Sequence, residues 1–190
     1  MSLLLLLLLG ATPTAPPSTG ERLVAAARAQ VGVTTSYDGA YRRLAYPAGD
    51  VPAQTGVCTD VVVRAYRHLG IDLQVLVHQD MKAAWSAYPK LWRLSRPDPS
   101  IDHRRVPNLV TFFRRHGATL PVSRRAAGFS PGDIVVWRLA SGVPHIGFVS
   151  DRRTPQGTPL VLHNIGSGAR EEDVLFSYVI TGHFRYPPSA

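Results

Sequence analysis

The sequence predicts a single α+β domain in which N-terminal helices pack on a C-terminal antiparallel sheet. Apolar residues recur at helical spacing before Ser130, whereas short β-rich runs separated by turns follow it. A chain of 190 residues, 45% of them hydrophobic, is long enough to bury one sizeable core. We therefore assign residues 1–20 to a leader with a Pro/Thr-rich linker, and residues 21–190 to one domain.

The helical part is predicted to contain segments over residues 21–31, 57–69, 78–88 and 107–116. Pro107 suits a helix start because the N–H that proline lacks would have no helical partner there. Gly70 and Gly117 follow the second and fourth segments, and glycine is a typical residue for ending a helix.

The sheet is predicted from apolar runs that follow turn sequences, at residues 134–138, 145–151, 160–164 and 183–186. Residues 174–178 come after an acidic segment at 171–173 and are predicted as a short helix or strand. Strands that follow one another through short turns form a meander, so the sheet is expected to be antiparallel.

Residues 3–9 are an unbroken run of leucines, and a Pro/Thr-rich stretch follows them. Seven leucines are too few to cross a bilayer but enough for the apolar part of a secretory signal peptide. We therefore predict export to the periplasm or cell envelope, with a mis-assigned start codon as the alternative. A single cysteine cannot form an internal disulfide, so an exported chain would keep Cys58 as a free thiol.

The formal net charge is +8, and the basic residues are almost all arginines scattered as pairs along the chain. Such scatter favours attraction to polyanions in general, including anionic envelope polymers. A dedicated nucleic-acid site would more often cluster its basic residues and interleave exposed aromatics. We therefore do not expect nucleic acid to be the partner.

Cys58 is the only cysteine, and the second predicted helix places it in the first turn. The positive end of the helix dipole and the free backbone N–H groups there favour the thiolate, which is the nucleophilic form of cysteine. Cysteine is also common as a small buried apolar residue, and position alone does not separate the two interpretations.

A nucleophilic cysteine needs a nearby base and a group that orients the base. His145 begins one predicted strand, and His163 lies near the end of the next. Since side chains alternate between the two faces of a strand, only one of His163 and Asn164 can face the same partner as His145. We predict that His145 is the base and His163 the orienting residue, with Asn164 as the alternative.

The order of these motifs resembles that of the papain-like cysteine hydrolases of the NlpC and CHAP type. The matching motifs are GVCTD at 56–60, PGDIV at 131–135, HIGFV at 145–149 and VLHN at 161–164. More closely, the stretches GVCTDVVVRAYR, VHQDM, SIDHRRVPNL, SPGDIVVW, HIGFVSD and HNIGSG resemble the bacterial family DUF1287. That resemblance runs from about residue 30 to residue 186.

The resemblance implies a papain-like domain and an amidase or peptidase that acts on peptidoglycan or its peptide fragments, with no metal and no organic cofactor. In such a mechanism Cys58 attacks an amide carbonyl, and His145 passes the thiol proton to the leaving amine. The backbone N–H of Cys58 would hold the oxyanion, joined by the side chain of Gln54 or of a nearby tyrosine.

Further polar residues are predicted to shape a substrate cleft, and they are Asp60, His78, Asp80, Asp102 and His103. His78, Asp80 and His103 could instead bind zinc, although no His-x-x-x-His or Cys-x-x-Cys pair is present. Three function classes follow. The set of cysteine, histidine and polar residues favours a cysteine hydrolase over a non-catalytic module that binds wall peptides, and a zinc peptidase is the third.

Overall fold

The structure is a computed structural model, and it describes residues 15–187. Within this range the helices are α1 (Thr19–Arg28), α2 (Cys58–His68), α3 (Leu73–Ala83) and α4 (Val106–His116). The strands are β1 (Ser36–Tyr37), β2 (Thr55–Gly56), β3 (Ala118–Thr119), β4 (Ile134–Arg138), β5 (Pro144–Arg153), β6 (Pro159–His163), β7 (Arg170–Glu172) and β8 (Val179–Arg185). The predicted α+β class, with helices before the sheet, is confirmed.

The first helix begins earlier than predicted, inside the segment that we assigned to a linker. Ser18 caps α1, because its Oγ accepts the Glu21 N–H at 3.2 Å while the Glu21 carboxylate accepts the Ser18 N–H at 2.7 Å. The last residues of the predicted linker therefore belong to a helix start. Residues 1–14 of the predicted leader lie outside the described residues.

The third helix also begins earlier than predicted, at Leu73 rather than at residue 78. Asp72 caps it by accepting the Gln74 N–H at 3.1 Å. The last part of the predicted segment is a separate 3₁₀ turn, Trp85–Ala87. The ends of α2 and α4 match the prediction: Gly70 has φ 82° after α2, and Gly117 ends α4.

The main sheet has the strand order β3-β8-β4-β5-β6-β7, and every neighbouring pair is antiparallel. Strands β4, β5, β6 and β8 correspond to the predicted runs. Strand β7 was not predicted, because its sequence, Arg-Glu-Glu, carries no apolar residue. Residues 174–178 form a turn rather than the predicted helix or strand. That turn buries Leu175, whose carbonyl accepts the Trp137 indole N–H at 2.9 Å.

Both faces of the sheet are buried, and alternate residues of each strand go to opposite faces. The face that packs on the helices includes Ile134, Val136, Ile146, Phe148 and Leu162. The other face forms a second cluster of Phe129, Val135, Trp137, Val149, Val161 and Leu175. Because His145 pairs with Trp137 and His163 lies two residues from Val161, both histidines lie on this second face.

Helix α2 is the central helix of the helical layer: it contacts α1, α3, β5 and β6. Its side chains from Cys58 to Val63 are all buried, and so are Ala65 and Tyr66. Among residues 15–187, no helix is both long and apolar enough to span a bilayer.

Candidate active site

Cys58 is the first residue of α2 and is 4% exposed. The preceding Val57 is extended, with φ −109° and ψ 179°, so the chain turns sharply into the helix at the cysteine. Asp60 stabilises this turn because its carboxylate accepts the Val57 N–H at 2.7 Å. The sequence thus places the thiol at a well-defined helix start.

Asp60 has further partners that exclude it from the predicted substrate cleft. Arg104 donates two hydrogen bonds to the Asp60 carboxylate, both at 2.9 Å, and both side chains are buried. The same guanidinium donates to the carbonyl oxygens of Asp38 at 3.1 Å and Ala40 at 3.3 Å. The prediction for Asp60 is therefore corrected: it joins the start of α2 to the loop after β1.

Strand β5 extends beyond the end of β6 at the edge where the candidate site lies. The register pairs Phe148 with Leu162, which places Gly147 opposite His163. A Cβ on Gly147 would lie 3.0 Å from the His163 Cβ and 2.8 Å from the Leu162 carbonyl oxygen, closer than van der Waals contact allows. Glycine at 147 therefore leaves the space in which the His145 and His163 rings meet.

Two histidines and a glutamate form a hydrogen-bonded chain on this face of the sheet. His145 Nε2 lies 2.9 Å from His163 Nδ1, and His163 Nε2 lies 3.1 Å from Glu172 Oε2. His145 is 3% exposed and His163 is 1% exposed. We call these three residues the His–His–Glu chain.

The carboxylate sets the direction of this chain, because an ionised carboxylate only accepts hydrogen bonds. His163 then donates from Nε2 to Glu172 and accepts at Nδ1 from the Nε2–H of His145. The neutral His145 ring is left with an unprotonated Nδ1, which is the form that a general base needs. Sequence reasoning missed Glu172, because no strand was predicted over the acidic segment 171–173.

Cys58 lies beside the start of β5. The backbone N–H of Ile146 hydrogen-bonds to the thiol, and Ile146 directly follows His145 in the strand. Asn164 anchors the end of β6 to the same region, since its Nδ2 donates to the Gly56 carbonyl at 3.0 Å and to the Ser36 carbonyl at 3.3 Å. The structure thus places His163 against His145, and it places Asn164 against the backbone that leads to Cys58.

The thiol and the imidazole are both neutral at rest. Burial raises the pKa of the Cys58 thiol to about 12, and hydrogen bonds from the N–H groups of Ile146 and Thr59 offset only part of the rise. Burial, together with His163, lowers the pKa of His145 to about 3. The helix dipole stabilises a charge by at most about 2 kcal/mol, less than the several kcal/mol that burying an ion costs. The expectation of a resting thiolate is therefore corrected.

Tyr37 is the side chain that reaches the thiol. Strand β1 pairs with β2 directly before the cysteine, with Tyr37 opposite Gly56. Burial raises the pKa of Tyr37 to about 12, with further contributions from Cys58, to which it hydrogen-bonds, and from Asp60. Gln54, the other predicted oxyanion donor, is exposed. Of the two predicted sources of a side-chain donor, the tyrosine is the one that the structure places at the sulfur.

The other predicted cleft residues lie on α3 and in the 3₁₀ turn Asp102–Arg104, and their role in a cleft stays a prediction. Asp80 accepts hydrogen bonds from Tyr88 at 2.6 Å and Arg115 at 2.7 Å. Asp102 and His103 are buried in a 3₁₀ turn, at 1% and 2% exposed. His78 packs edge-on against Tyr46, with 5.2 Å between ring centroids.

The zinc-binding alternative fails on the same geometry. Among residues 15–187, no three His, Cys, Asp or Glu side chains converge in a way that could hold a metal ion. The three proposed ligands His78, Asp80 and His103 each have separate surroundings.

The fold is that of NlpC proteins. The structure is similar to that of NlpC2 from Trichomonas vaginalis, with a TM-score of 0.51 and 17% sequence identity over 91% of this chain. A second similar structure is NlpC1 from the same organism, with a TM-score of 0.49, 16% identity and 92% of this chain covered. The chain spans about half the length of these proteins, 48% and 46% respectively.

The chain belongs to the family described as "Domain of unknown function (DUF1287)", which it matches over residues 24–186. It is also 52% identical over 182 residues to "Uncharacterized protein YijF" of Escherichia coli (strain K12), covering 92% of this chain and 89% of that protein. The predicted resemblance to this family and to NlpC proteins is thereby confirmed.

Proposed function

We propose that this protein is an exported cysteine hydrolase that cleaves an amide bond in peptidoglycan. Cys58 is the nucleophile, His145 the general base and His163 the orienting residue. The observation that carries the proposal is the His–His–Glu chain, which leaves Nδ1 of His145 unprotonated on the strand that adjoins the thiol. A structural histidine would use both ring nitrogens, whereas His145 forms a hydrogen bond through Nε2 alone with the residues between 15 and 187.

The proton moves as the sulfur attacks, because neither group is charged at rest. His145 Nδ1 takes the thiol proton while the sulfur bonds to the amide carbonyl carbon. The resulting imidazolium is stabilised through His163 by the negative charge of Glu172. His145 then gives the proton to the leaving amine, and water hydrolyses the thioester with His145 again acting as the base.

The oxyanion that develops on the carbonyl needs hydrogen-bond donors. The backbone N–H of Cys58 lies at the free end of α2, and the Tyr37 hydroxyl is the side-chain donor at the sulfur. Removing one such donor typically slows acyl transfer by about 10²–10³-fold.

Peptidoglycan is proposed as the substrate from the NlpC-like fold, the predicted leader and the net charge of +8. The charge attracts anionic envelope polymers in general, whereas the nucleophile limits the chemistry to carbonyl compounds such as amides. The localisation in the periplasm or cell envelope is part of the same proposal.

The second candidate is a wall-peptide-binding module without turnover. It is favoured by one observation: Cys58 is 4% exposed and burial raises the pKa of its thiol to about 12. Such a thiol is unreactive until the site opens to a substrate.

The two candidates differ in what happens to purified sacculi. The full chain, its Cys58→Ala variant and its Cys58→Ser variant are incubated with sacculi, and the released muropeptides are identified by mass spectrometry. The hydrolase predicts new amide-cleavage products that only the unmodified chain releases. If all three proteins bind the wall and none releases a product, the protein is the binding module.

A further inference from the structure

A second surface feature lies next to the candidate site. It is a groove of about 830 Å³ between the loop after β3, the end of β4 and the start of β8. Its apolar walls include Val122, Phe176 and Val179, which are 54%, 40% and 68% exposed. Its basic lining residues are Arg124 and Arg138. We call it the arginine-lined groove.

The two arginines do not serve the fold. Neither Arg124 nor Arg138 forms an ion pair or a side-chain hydrogen bond with any residue between 15 and 187. Other arginines contrast with them: Arg28 binds Glu171 at 2.7 Å, and Arg104 binds Asp60 at 2.9 Å. Other surface arginines such as Arg43 are also unpaired within residues 15–187, but Arg124 and Arg138 line one groove together with exposed apolar side chains. That combination suits a ligand that combines carboxylates with small apolar groups.

The groove lies two strands from His145 in the same sheet, and Trp137 lies between them. Trp137 in β4 pairs with His145 on one side and with Ile180, a groove residue, on the other. Neighbouring strands lie about 4.8 Å apart, so the groove begins within about 10 Å of His145. The Trp137 ring lies 5.8 Å from the His145 ring and donates to the Leu175 carbonyl, directly before Phe176.

We propose that the arginine-lined groove is a subsite for an acidic peptide. Peptide carboxylates pair with Arg124 and Arg138, and small apolar side chains of the peptide contact Val122, Phe176 and Val179. Arginine binds carboxylates through two parallel hydrogen bonds, and the groove volume lies in the usual range for small-ligand sites. The inference rests on the proposed function, since the groove would hold the part of the substrate beyond the amide that Cys58 attacks.

The test measures binding to the Cys58→Ala variant, so that a bound peptide is not cleaved. The probe is a fluorescein-labelled peptide of alanine, glutamate and alanine with a free C-terminal carboxylate, followed by fluorescence anisotropy. Its comparison peptide carries glutamine and a C-terminal amide in place of the two carboxylates. We expect the acidic peptide to bind at least about 10-fold more tightly than the amidated one.

Variants then locate the site. Arg124→Gln and Arg138→Gln should each weaken binding of the acidic peptide about 10-fold, because each removes a charge-assisted pair. Arg43→Gln is the matched control, since Arg43 is also exposed, lies in the loop between β1 and β2, and removes the same charge. It should change the affinity less than about twofold, within the range of a screened surface charge.

Equal affinity for the two peptides, or an equal loss in the Arg43→Gln variant, would overturn the proposal in favour of general charge attraction. Binding to phosphatidylglycerol vesicles that needs Arg124 and Arg138, without peptide binding, would overturn it in favour of a lipid. The proposed function has a separate test. If sacculi stay uncut while the acidic peptide still binds as described, the hydrolase assignment is wrong and the peptide-binding subsite is retained.

Discussion

The sheet carries two histidine–carboxylate clusters on the same face, and they differ in one respect. The first is the His–His–Glu chain, in which His145 hydrogen-bonds through Nε2 alone. The second surrounds His183, whose Nε2 lies 2.9 Å from Asp133 and whose Nδ1 lies 3.0 Å from the Pro121 carbonyl. Every ring nitrogen of His183 is engaged by an acceptor, so no nitrogen is left for chemistry.

The acceptors in the second cluster are themselves saturated. Asp133 is fully buried, and its other carboxylate oxygen accepts from Arg185 at 2.7 Å. That arrangement joins β8 to the start of β4 and to the loop after β3. Composition does not separate the two clusters, because each contains histidine and a carboxylate. They are separated by the Nδ1 of His145, which forms no hydrogen bond with any residue between 15 and 187, on a residue that directly precedes Ile146, whose N–H reaches the Cys58 thiol.

The largest expected effect is a loss of activity when His145 is replaced, which replacement of His183 should not cause. We expect His145→Ala to lower amide hydrolysis by about 10³-fold or more, since the general base is removed. We expect His183→Ala to lower the free energy of unfolding by about 2–4 kcal/mol, with unchanged activity per folded molecule. Muropeptide release and urea denaturation measure the two quantities. A folded but inactive His183→Ala protein would show that the distinction is wrong.

The next effect concerns the end of the His–His–Glu chain. Glu172→Gln should lower kcat/KM about 10–100-fold, because the neutral amide no longer stabilises the imidazolium. The acid limb of the kcat/KM profile should also move to lower pH, since loss of a nearby negative charge lowers a histidine pKa. Kinetics that extend from about pH 7 down to below pH 3 would measure both changes, because the acid limb follows the low pKa of His145.

Glu171 provides the control for that experiment, as the adjacent residue on the opposite face of β7. Its carboxylate binds Arg28 at 2.7 Å and Arg152 at 3.0 Å. Glu171→Gln should therefore leave the pH profile in place and affect stability alone. Matching shifts in both variants would mean that Glu172 acts as general surface charge.

Gly147→Ala should give a smaller effect on stability, of about 1–3 kcal/mol, because a methyl group there collides with β6. It should also lower activity, since relief of the collision separates the strands that carry His145 and His163. Gly39→Ala is the matched substitution, because its Cβ would have no neighbour closer than 3.8 Å. Thermal unfolding and hydrolysis rates of the two variants should differ; identical values would remove the role assigned to Gly147.

The last effect is on the pH dependence of stability, which Asp102 partly offsets. Burial lowers the pKa of His145 to about 3 and that of His103 to about 4, from the ordinary 6.5. Between about pH 6.5 and pH 4 the unfolded chain therefore binds more protons at these positions, so the free energy of unfolding falls as the pH falls. Asp102, whose pKa burial raises to about 6, acts in the opposite sense over part of this range.

Urea denaturation at several pH values between 7 and 4 measures this dependence. His103→Gln should flatten the profile, because it removes one of the histidines whose pKa is lowered in the fold. A profile that is equally steep in this variant would assign the dependence to other groups.

Much of the fold was predictable because its elements have local causes. The apolar runs of β4 to β6 and the helical stripe of α2 are visible in short windows of sequence. The start of α3 was misplaced because Asp72 was not recognised as its cap. Strand β7 was missed because pairing with β6, rather than its own composition, makes Arg170–Glu172 a strand.

The candidate site was predictable only in part. From strand alternation, the sequence limited the group that orients His145 to His163 or Asn164. In the structure, the register of β5 and β6 places His163 against His145. The prediction missed Glu172 because strand β7, which brings it to His163, was not predicted. It proposed a nearby tyrosine but could not specify Tyr37, because the pairing of β1 with β2 joins segments that are distant in sequence. Two of the five residues proposed for a cleft, Asp60 and Asp80, are bound by arginines that lie far along the chain, which the sequence alone did not show.

The sequence by itself determined the order of the elements, the helix start that holds Cys58 and the strands that hold His145 and His163, because local periodicity, capping and turn residues specify these features. Only the tertiary structure decided the charge state of the thiol and imidazole, the direction of the hydrogen-bonded chain and the separation of a site histidine from a structural one. These depend on burial and on contacts between residues far apart in the chain, and no short window of sequence contains either.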